Sequence, residues 1–236
     1  MNNTTFKVLE IFGSISGEAQ HAGELTTFIR LSGCNLACSF CDTMTLMKQN
    51  CFTEMDVEQI IDQCHANGHR HIVVTGGEPL LNERLDELVA ELLLENFTVE
   101  IETNGSVDIH PFLEKIDAKE LPYAFEPNLS ITLDYKMGFS GMMDKMNPAN
   151  FDHLDDLCSN DTVKFVVAQE DIEPCMELIK KFQEQGTLCK YYISPVFGEV
   201  NMQDIVEAMK NHKLNEDVRY QLQMHKYVWS PETQGV

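Results

Sequence analysis

Positive charge is scarce in this chain of 236 residues, where 17 Lys and Arg stand against 38 Asp and Glu, a formal charge of −21. So acidic a surface repels phosphate backbones and anionic lipid, which argues against nucleic acid and membranes as partners. Long hydrophobic runs are also missing. The apolar stretches are short and strand-like, as in Ile72-Val73-Val74, far below the roughly 20 residues that span a bilayer. The opening Met1-Asn2-Asn3-Thr4-Thr5-Phe6 has neither a basic start nor an apolar core. No signal peptide is therefore expected, and the expected location is cytoplasmic. Internal repeats, low-complexity tracts and Pro- or Gly-rich linkers are lacking too, and the length suits one domain over residues 1–236. The 43% apolar content is that of a chain able to bury a core, so disorder is excluded as its main state.

The cysteines are more informative than their number. Eight of them without a secretory signal point to reduced thiols rather than a disulfide framework. Cys51, Cys64, Cys158, Cys175 and Cys189 are scattered and read as small packed hydrophobes or inert thiols. Cys34, Cys38 and Cys41 instead form a CxxxCxxC cluster in which a short loop can wrap three thiolates around one soft metal centre. Structural zinc wants four protein ligands, commonly in two separated pairs, and electron-transfer clusters also want four cysteines. Three ligands without an evident fourth imply an iron–sulfur cubane with one iron left open.

Strands alternate with amphipathic helices along the chain. Strand-like segments are Thr27–Leu31, His71–Thr75, Phe97–Ile101, Leu129–Leu133, Val163–Val167, Tyr191–Ile193 and Tyr220–Met224. Helical spacing appears in Val57-Ile60-Ile61-Cys64, with Thr53 as its expected N-cap, and in Leu85-Leu88-Val89-Leu92-Leu93. Helices are also expected over Pro174–Gln185 and Met202–Lys210. This order predicts an α/β fold with parallel strands and outer helices. The segment from Gly138 to Asn150, with Met142, Met143 and Met146, is the least regular and reads as a loop or lid.

The cysteine cluster followed by Gly76-Gly77-Glu78-Pro79 resembles the radical S-adenosylmethionine superfamily. That resemblance implies a partial, open TIM-like barrel with its site at the strand C-termini. It also implies a [4Fe–4S] cluster on Cys34, Cys38 and Cys41, whose open iron chelates S-adenosylmethionine for reductive cleavage. Further segments resemble the 7-carboxy-7-deazaguanine synthase family. Glu10-Ile11-Phe12-Gly13-Ser14-Ile15-Ser16-Gly17-Glu18 is similar to its EIFxSIQGE start, and Cys41-Asp42-Thr43 to its CDT. Thr75–Leu81, Glu102-Thr103-Asn104-Gly105, the run Gln221–Trp229 and the terminal Gly235-Val236 extend the likeness over nearly the whole chain. Two departures stand out: Ser16 and Ala19 replace the usual Gln and a following Gly, and Asp134-Tyr135-Lys136 replaces a common Ser-Pro-Lys.

The family's reaction is the ring contraction of 6-carboxy-5,6,7,8-tetrahydropterin to 7-carboxy-7-deazaguanine with release of ammonia, in 7-deazapurine (queuosine-type) biosynthesis. By resemblance, Ile15, Ser16, Gly17, Glu18, Arg30, Thr75, His225 and the terminal Val236 meet the pterin. Arg30 would clamp its carboxylate, a task suited to a guanidinium fork. Thr43 would ligate Mg²⁺ beside the substrate, since a hard cation takes oxygen donors. Phe40, Asp42, Gly77, Glu102, Asn104, Asp134, Tyr135, Lys136, Ser194, Pro195, Val196 and Phe197 would meet S-adenosylmethionine. The resemblance also implies a homodimer and a flavodoxin- or ferredoxin-type reductant. Rival readings are a glycyl-radical-enzyme activase, an iron–sulfur electron carrier that recruits a fourth ligand, and a zinc module.

Overall fold

The computed structural model describes residues 5–44, 46, 51–119, 121, 128–152, 159–230, 233 and 235. Among these, nine strands form one sheet: β1 (Thr5–Ile15), β2 (Leu25–Leu31), β3 (Thr53–Asp56), β4 (His71–Gly76), β5 (Thr98–Thr103), β6 (Leu129–Tyr135), β7 (Thr162–Val167), β8 (Lys190–Pro195) and β9 (Val218–Tyr220). Their order is β3-β1-β2-β4-β5-β6-β7-β8-β9. β1 is antiparallel to both β2 and β3, and every neighbouring pair from β2 to β9 is parallel. The end strands β3 and β9 do not pair, so the expected partial barrel stays open.

Period-two alternation decides what each strand presents to either face. Ile72 and Val74 of β4, Val99 and Ile101 of β5, Ile131 and Leu133 of β6, and Val163, Phe165 and Val167 of β7 are buried in the main hydrophobic core. The helices bring apolar stripes to that core: Ile60 and Cys64 from α1 (Val57–Asn67), Leu88, Val89 and Leu92 from α2 (Leu85–Leu94), and Cys175, Met176 and Ile179 from α5 (Ile172–Gln183). Smaller contributions come from α3 (His110–Asp117), α4 (Pro148–Asp152) and α6 (Met202–His212). A short α7 (His225–Val228) follows β9. The alternate residues, among them Thr75, Glu100, Glu102, Asp134 and Lys164, face the bore.

Several sequence expectations need correction. The N-cap of α1 is Asp56, whose carboxylate accepts from Gln59 N at 2.9 Å while Gln59 Oε1 accepts from Asp56 N at 2.9 Å; Thr53 instead opens β3. A carboxylate three residues from a Gln makes the stronger reciprocal cap. The last strand is Val218–Tyr220, not Tyr220–Met224, because the side chains of Gln221 and Gln223 turn to the Ala19 N–H and Glu18. Strand β1 was not anticipated. A bulge between Val8 and Glu10 lets Phe6 and Val8 enter the core while Glu10 and Phe12 line the cavity, which breaks the alternation. The segment 138–150 is built of two 3₁₀ turns and α4 and braces the cysteine loop: Ser39 N donates to Ser140 O at 3.1 Å, Ser39 Oγ to Phe139 O at 2.7 Å, and Phe40 stacks on Phe139.

Candidate active site

A cavity of about 700 Å³ opens at the C-terminal ends of the parallel strands. Cys34, Cys38 and Cys41 all line it. Their loop is held from two sides, by the 138–150 brace and by the double glycine after β4. A Cβ on Gly77 would lie 2.0 Å from Gly33 O and 2.6 Å from Cys34 Cβ, and one on Gly76, at φ +145°, would lie 2.1 Å from Leu31 O. Only glycine allows this approach. Gly77 N donates to Leu31 O and Glu78 N to Gly33 O, which ties the end of β4 to the cysteine loop.

The donor set fits an open-iron cluster. Burial pushes the Cys34 and Cys38 thiols up, so their thiolates require cationic partners, and Lys136 works the other way on Cys38. Among the described residues no fourth cysteine reaches the cavity; Cys64, Cys175 and Cys189 are buried in the core behind the sheet. Asn104 Nδ2 lies 3.8 Å from Cys34 Sγ and 3.2 Å from Asn35 Oδ1, over the same loop. Glu78, fully buried, accepts from Thr103 Oγ1 at 2.8 Å, Asn104 N at 2.7 Å and Leu80 N at 3.0 Å. Burial nonetheless raises its carboxyl above the ordinary range.

Midway down the bore lies Lys164, only 3% exposed. Its Nζ is 3.2 Å from Glu18 Oε2 and 3.6 Å from Asp134 Oδ2, and it bonds Glu102 more closely still. Burial alone would raise the Glu102 carboxyl, but Lys164, Lys136 and the Thr75 hydroxyl outweigh it and bring the pKa down to about 2. Thr75 Oγ1 donates to Glu102 at 3.1 Å, and Lys136 Nζ to Asp134 at 2.6 Å. Lys164 was missed from sequence. Its signal was a lone charge within the apolar Thr162-Val163-Lys164-Phe165-Val166-Val167, on the parity that faces the bore.

The turn after β1 enters the bore from the other end. Ile15, Ser16, Gly17 and Glu18 line the cavity, and Glu18 also accepts from Ser194 Oγ at 2.9 Å and Gln223 Nε2 at 3.2 Å. Met224 N donates to Gly17 O, and a Cβ on Gly17 would fall 2.2 Å from His225 Nδ1, so that glycine seats the histidine. Burial lowers the His225 pKa, only partly countered by Glu18 and Asp42. Ala19, where the related pattern has Gly, sits at φ +59° with its N–H on Gln221 Oε1 at 2.8 Å. The turn therefore keeps its left-handed backbone despite the departure.

Arg30 donates through Nε to Glu10 Oε1 at 2.7 Å and lies 5.5 Å from the Phe12 ring centroid, which leaves its fork at the cavity wall. Asp42 meets Lys226 at 3.2 Å; against the upward push of burial, Lys226 and Arg30 lower its pKa. Thr43 lines the cavity with its hydroxyl 3.4 Å from Cys41 Sγ. Phe40, Val196 and Phe197 line it as well. Tyr135 and Pro195 do not: strand parity turns Tyr135 onto Phe151, Phe165 and Phe182 behind the sheet, and Pro195 has the same outward parity in β8. Ser194 does not line the cavity; its hydroxyl donates to Glu18 and accepts from Gln221 Nε2. Val236 lies outside the described residues, while Gly235 lines the cavity.

Comparison with known proteins agrees with this geometry. The Radical SAM superfamily description matches residues 28–133. A 7-carboxy-7-deazaguanine synthase of Clostridium acetobutylicum is 39% identical over 98% of this chain and 99% of its own length, and one of Methanospirillum hungatei is 35% identical over 95% and 86%. Among solved structures, QueE from Escherichia coli superposes with a TM-score of 0.66 at 21% identity, covering 94% of this chain and 95% of that one. Streptococcus suis SuiB bound to S-adenosylmethionine matches 80% of this chain and 44% of its own at 13% identity, with a TM-score of 0.54, a likeness of fold. Full-length similarity to synthases favours neither an activase nor an electron carrier. The chain belongs to the 7-carboxy-7-deazaguanine synthase family of radical S-adenosylmethionine enzymes.

Proposed function

We propose that this cavity converts 6-carboxy-5,6,7,8-tetrahydropterin to 7-carboxy-7-deazaguanine with loss of ammonia. The observation that carries the reading is one continuous cavity joining the three thiols to the Ser16–Glu18 turn, Arg30 and His225. When bound, the cluster on Cys34, Cys38 and Cys41 and its S-adenosylmethionine supply a carbon-centred radical that starts the ring contraction.

This chain's own residues bind and orient. Arg30, already braced by Glu10, offers its guanidinium fork to the substrate carboxylate. Glu18 faces the paired N–H donors of the pterin edge, as a carboxylate suits, while Ile15, Ser16 and Gly17 offer backbone groups. His225, its pKa lowered by burial, packs against the ring, and Thr75 borders the same space. Gly77, Asn104, Asp134, Lys136, Phe40, Asp42, Val196 and Phe197 border S-adenosylmethionine; Glu102 contributes by fixing Lys164. Tyr135, Pro195 and Ser194 make no direct contact in this reading. Thr43 supplies an oxygen for Mg²⁺ beside the substrate carboxylate. A homodimer, a flavodoxin- or ferredoxin-type electron donor and a cytoplasmic setting belong to the same proposal. Among the described residues no helix is long and apolar enough to cross a membrane.

The test is anaerobic turnover of the reconstituted protein with dithionite, S-adenosylmethionine, Mg²⁺ and the carboxytetrahydropterin, read by mass spectrometry. The expected result is 7-carboxy-7-deazaguanine, abolished in Cys38→Ala. Formation of 5′-deoxyadenosine without that product would overturn the substrate assignment.

A further inference from the structure

Where the turn after β1 closes the bore, His71 is 1% exposed and unlike any other histidine of the described chain in its surroundings. Its Nδ1 lies 3.0 Å from Thr26 Oγ1, and its Nε2 lies 3.5 Å from Glu100 Oε2 without making a hydrogen bond. The Thr26 hydroxyl has a single hydrogen, and Glu24 O stands 3.2 Å away to accept it. In the tautomer where Thr26 accepts from His71 Nδ1–H, Nε2 keeps a lone pair pointing at a carboxylate oxygen. Two electron-rich atoms facing each other in a buried site call for a cation between them.

Spacing and support fit one. An ion about 2.05 Å from each atom, the usual zinc–nitrogen and zinc–oxygen length, would see the 3.5 Å pair at an angle of roughly 117°, near tetrahedral. A third donor is at hand: His21 offers a ring nitrogen within 4.8 Å of the other two ligand atoms. Its Nδ1 is held by Glu24 Oε2 at 2.9 Å, so Nε2 is the nitrogen it has to give. Glu100 is oriented by Thr132 Oγ1, which donates to Oε1 at 2.6 Å. Each donor is thus held by a second hydrogen bond, the arrangement that fixes metal ligands. The His21 side chain, 30% exposed with its ring tilted 35° and centred 4.0 Å from the His71 ring, provides the way in and turns onto the ion once it arrives.

We propose that His21, His71 and Glu100 form a second metal site, for one first-row divalent cation of the zinc type with water as its fourth ligand. Two imidazoles and a carboxylate suit such an ion better than Mg²⁺ or Ca²⁺. The site is separate from the cysteine cluster and from Thr43. Its consequence is mechanical: it pins the loop that carries Ser16, Gly17 and Glu18 to β4 and β5.

The holoenzyme, with its cluster reconstituted anaerobically, is dialysed against micromolar Zn²⁺, counted by elemental analysis and examined by X-ray absorption at the zinc edge. The expected result is one zinc per chain beyond the iron, with a shell of nitrogen and oxygen near 2.0–2.1 Å and no sulfur near 2.3 Å. Affinity should fall at least tenfold in His21→Ala and in Glu100→Gln, each retaining about four irons per chain as proof of its fold. Zinc that shows sulfur scattering, zinc bound as tightly by His21→Ala, or no zinc retained by the wild type would overturn the site.

Discussion

Replacing Lys164 by methionine keeps an unbranched side chain one atom shorter and removes the charge that Glu18, Glu102 and Asp134 share. Glu102 is held near pKa 2 against an ordinary 4.5, with Lys164 as the chief force opposing the upward push of burial. At about 1.4 kcal/mol per unit, that depression corresponds to about 3 kcal/mol, within the roughly 3–5 kcal/mol expected when one partner of a buried ion pair is deleted. The pH dependence has a definite sign. In the wild type the Glu102 contribution is in place above pH 4.5 and is lost as pH falls from 4.5 towards 2. In Lys164→Met burial pushes the Glu102 carboxyl up, and it takes up a proton as pH falls from neutrality, so the variant regains stability over that range. Urea unfolding of the cluster-free proteins, followed by circular dichroism, should show a gap of about 3 kcal/mol at pH 7.5 that narrows at pH 5. Adding Glu102→Gln should recover part of the loss. A gap below about 1 kcal/mol at pH 7.5, or the same gap at both pH values, would refute the reasoning.

Gly77→Ala should drive its methyl into Gly33 O and Cys34, so reconstituted iron content should fall well below about four per chain while the cluster-free fold, read by circular dichroism, persists. Gly17→Ala should displace His225 and raise the pterin KM at least tenfold with little change in uncoupled S-adenosylmethionine cleavage; an unchanged KM would remove His225 from the substrate wall. Thr43→Ala should keep the cluster and uncoupled cleavage but lose most of the Mg²⁺ stimulation of turnover, and indifference to the change would end the metal assignment.

What could be read from the sequence was local. The cysteine spacing and the double glycine act within a few residues of each other, and the structure packs Gly77 directly on Gly33 and Cys34. Long-range electrostatics were not legible: Lys164 finds Glu18 across 146 residues and Glu102 across 62. Strand parity also limits what a matching segment can say. Asp134 and Tyr135 are adjacent, yet one faces Lys164 and the other an aromatic cluster behind the sheet. β1 escaped because its bulge exchanges faces midway, so neither half runs long enough to read as an alternating strand. The segment 138–150 looked irregular because methionine sulfurs and backbone carbonyls, rather than a regular ladder, satisfy its neighbours; Ala37 N and Lys136 N both donate to methionine sulfur.

The central claim is that the radical made at the three-cysteine end of the cavity acts on a pterin held by the Ser16–Glu18 turn and His225. It is tested most directly by turnover with carboxytetrahydropterin deuterated at its ring carbons. The account predicts deuterium in the 5′-deoxyadenosyl group, whether recovered as 5′-deoxyadenosine or within S-adenosylmethionine, in step with 7-carboxy-7-deazaguanine. An adenosyl group free of deuterium while product accumulates would contradict it.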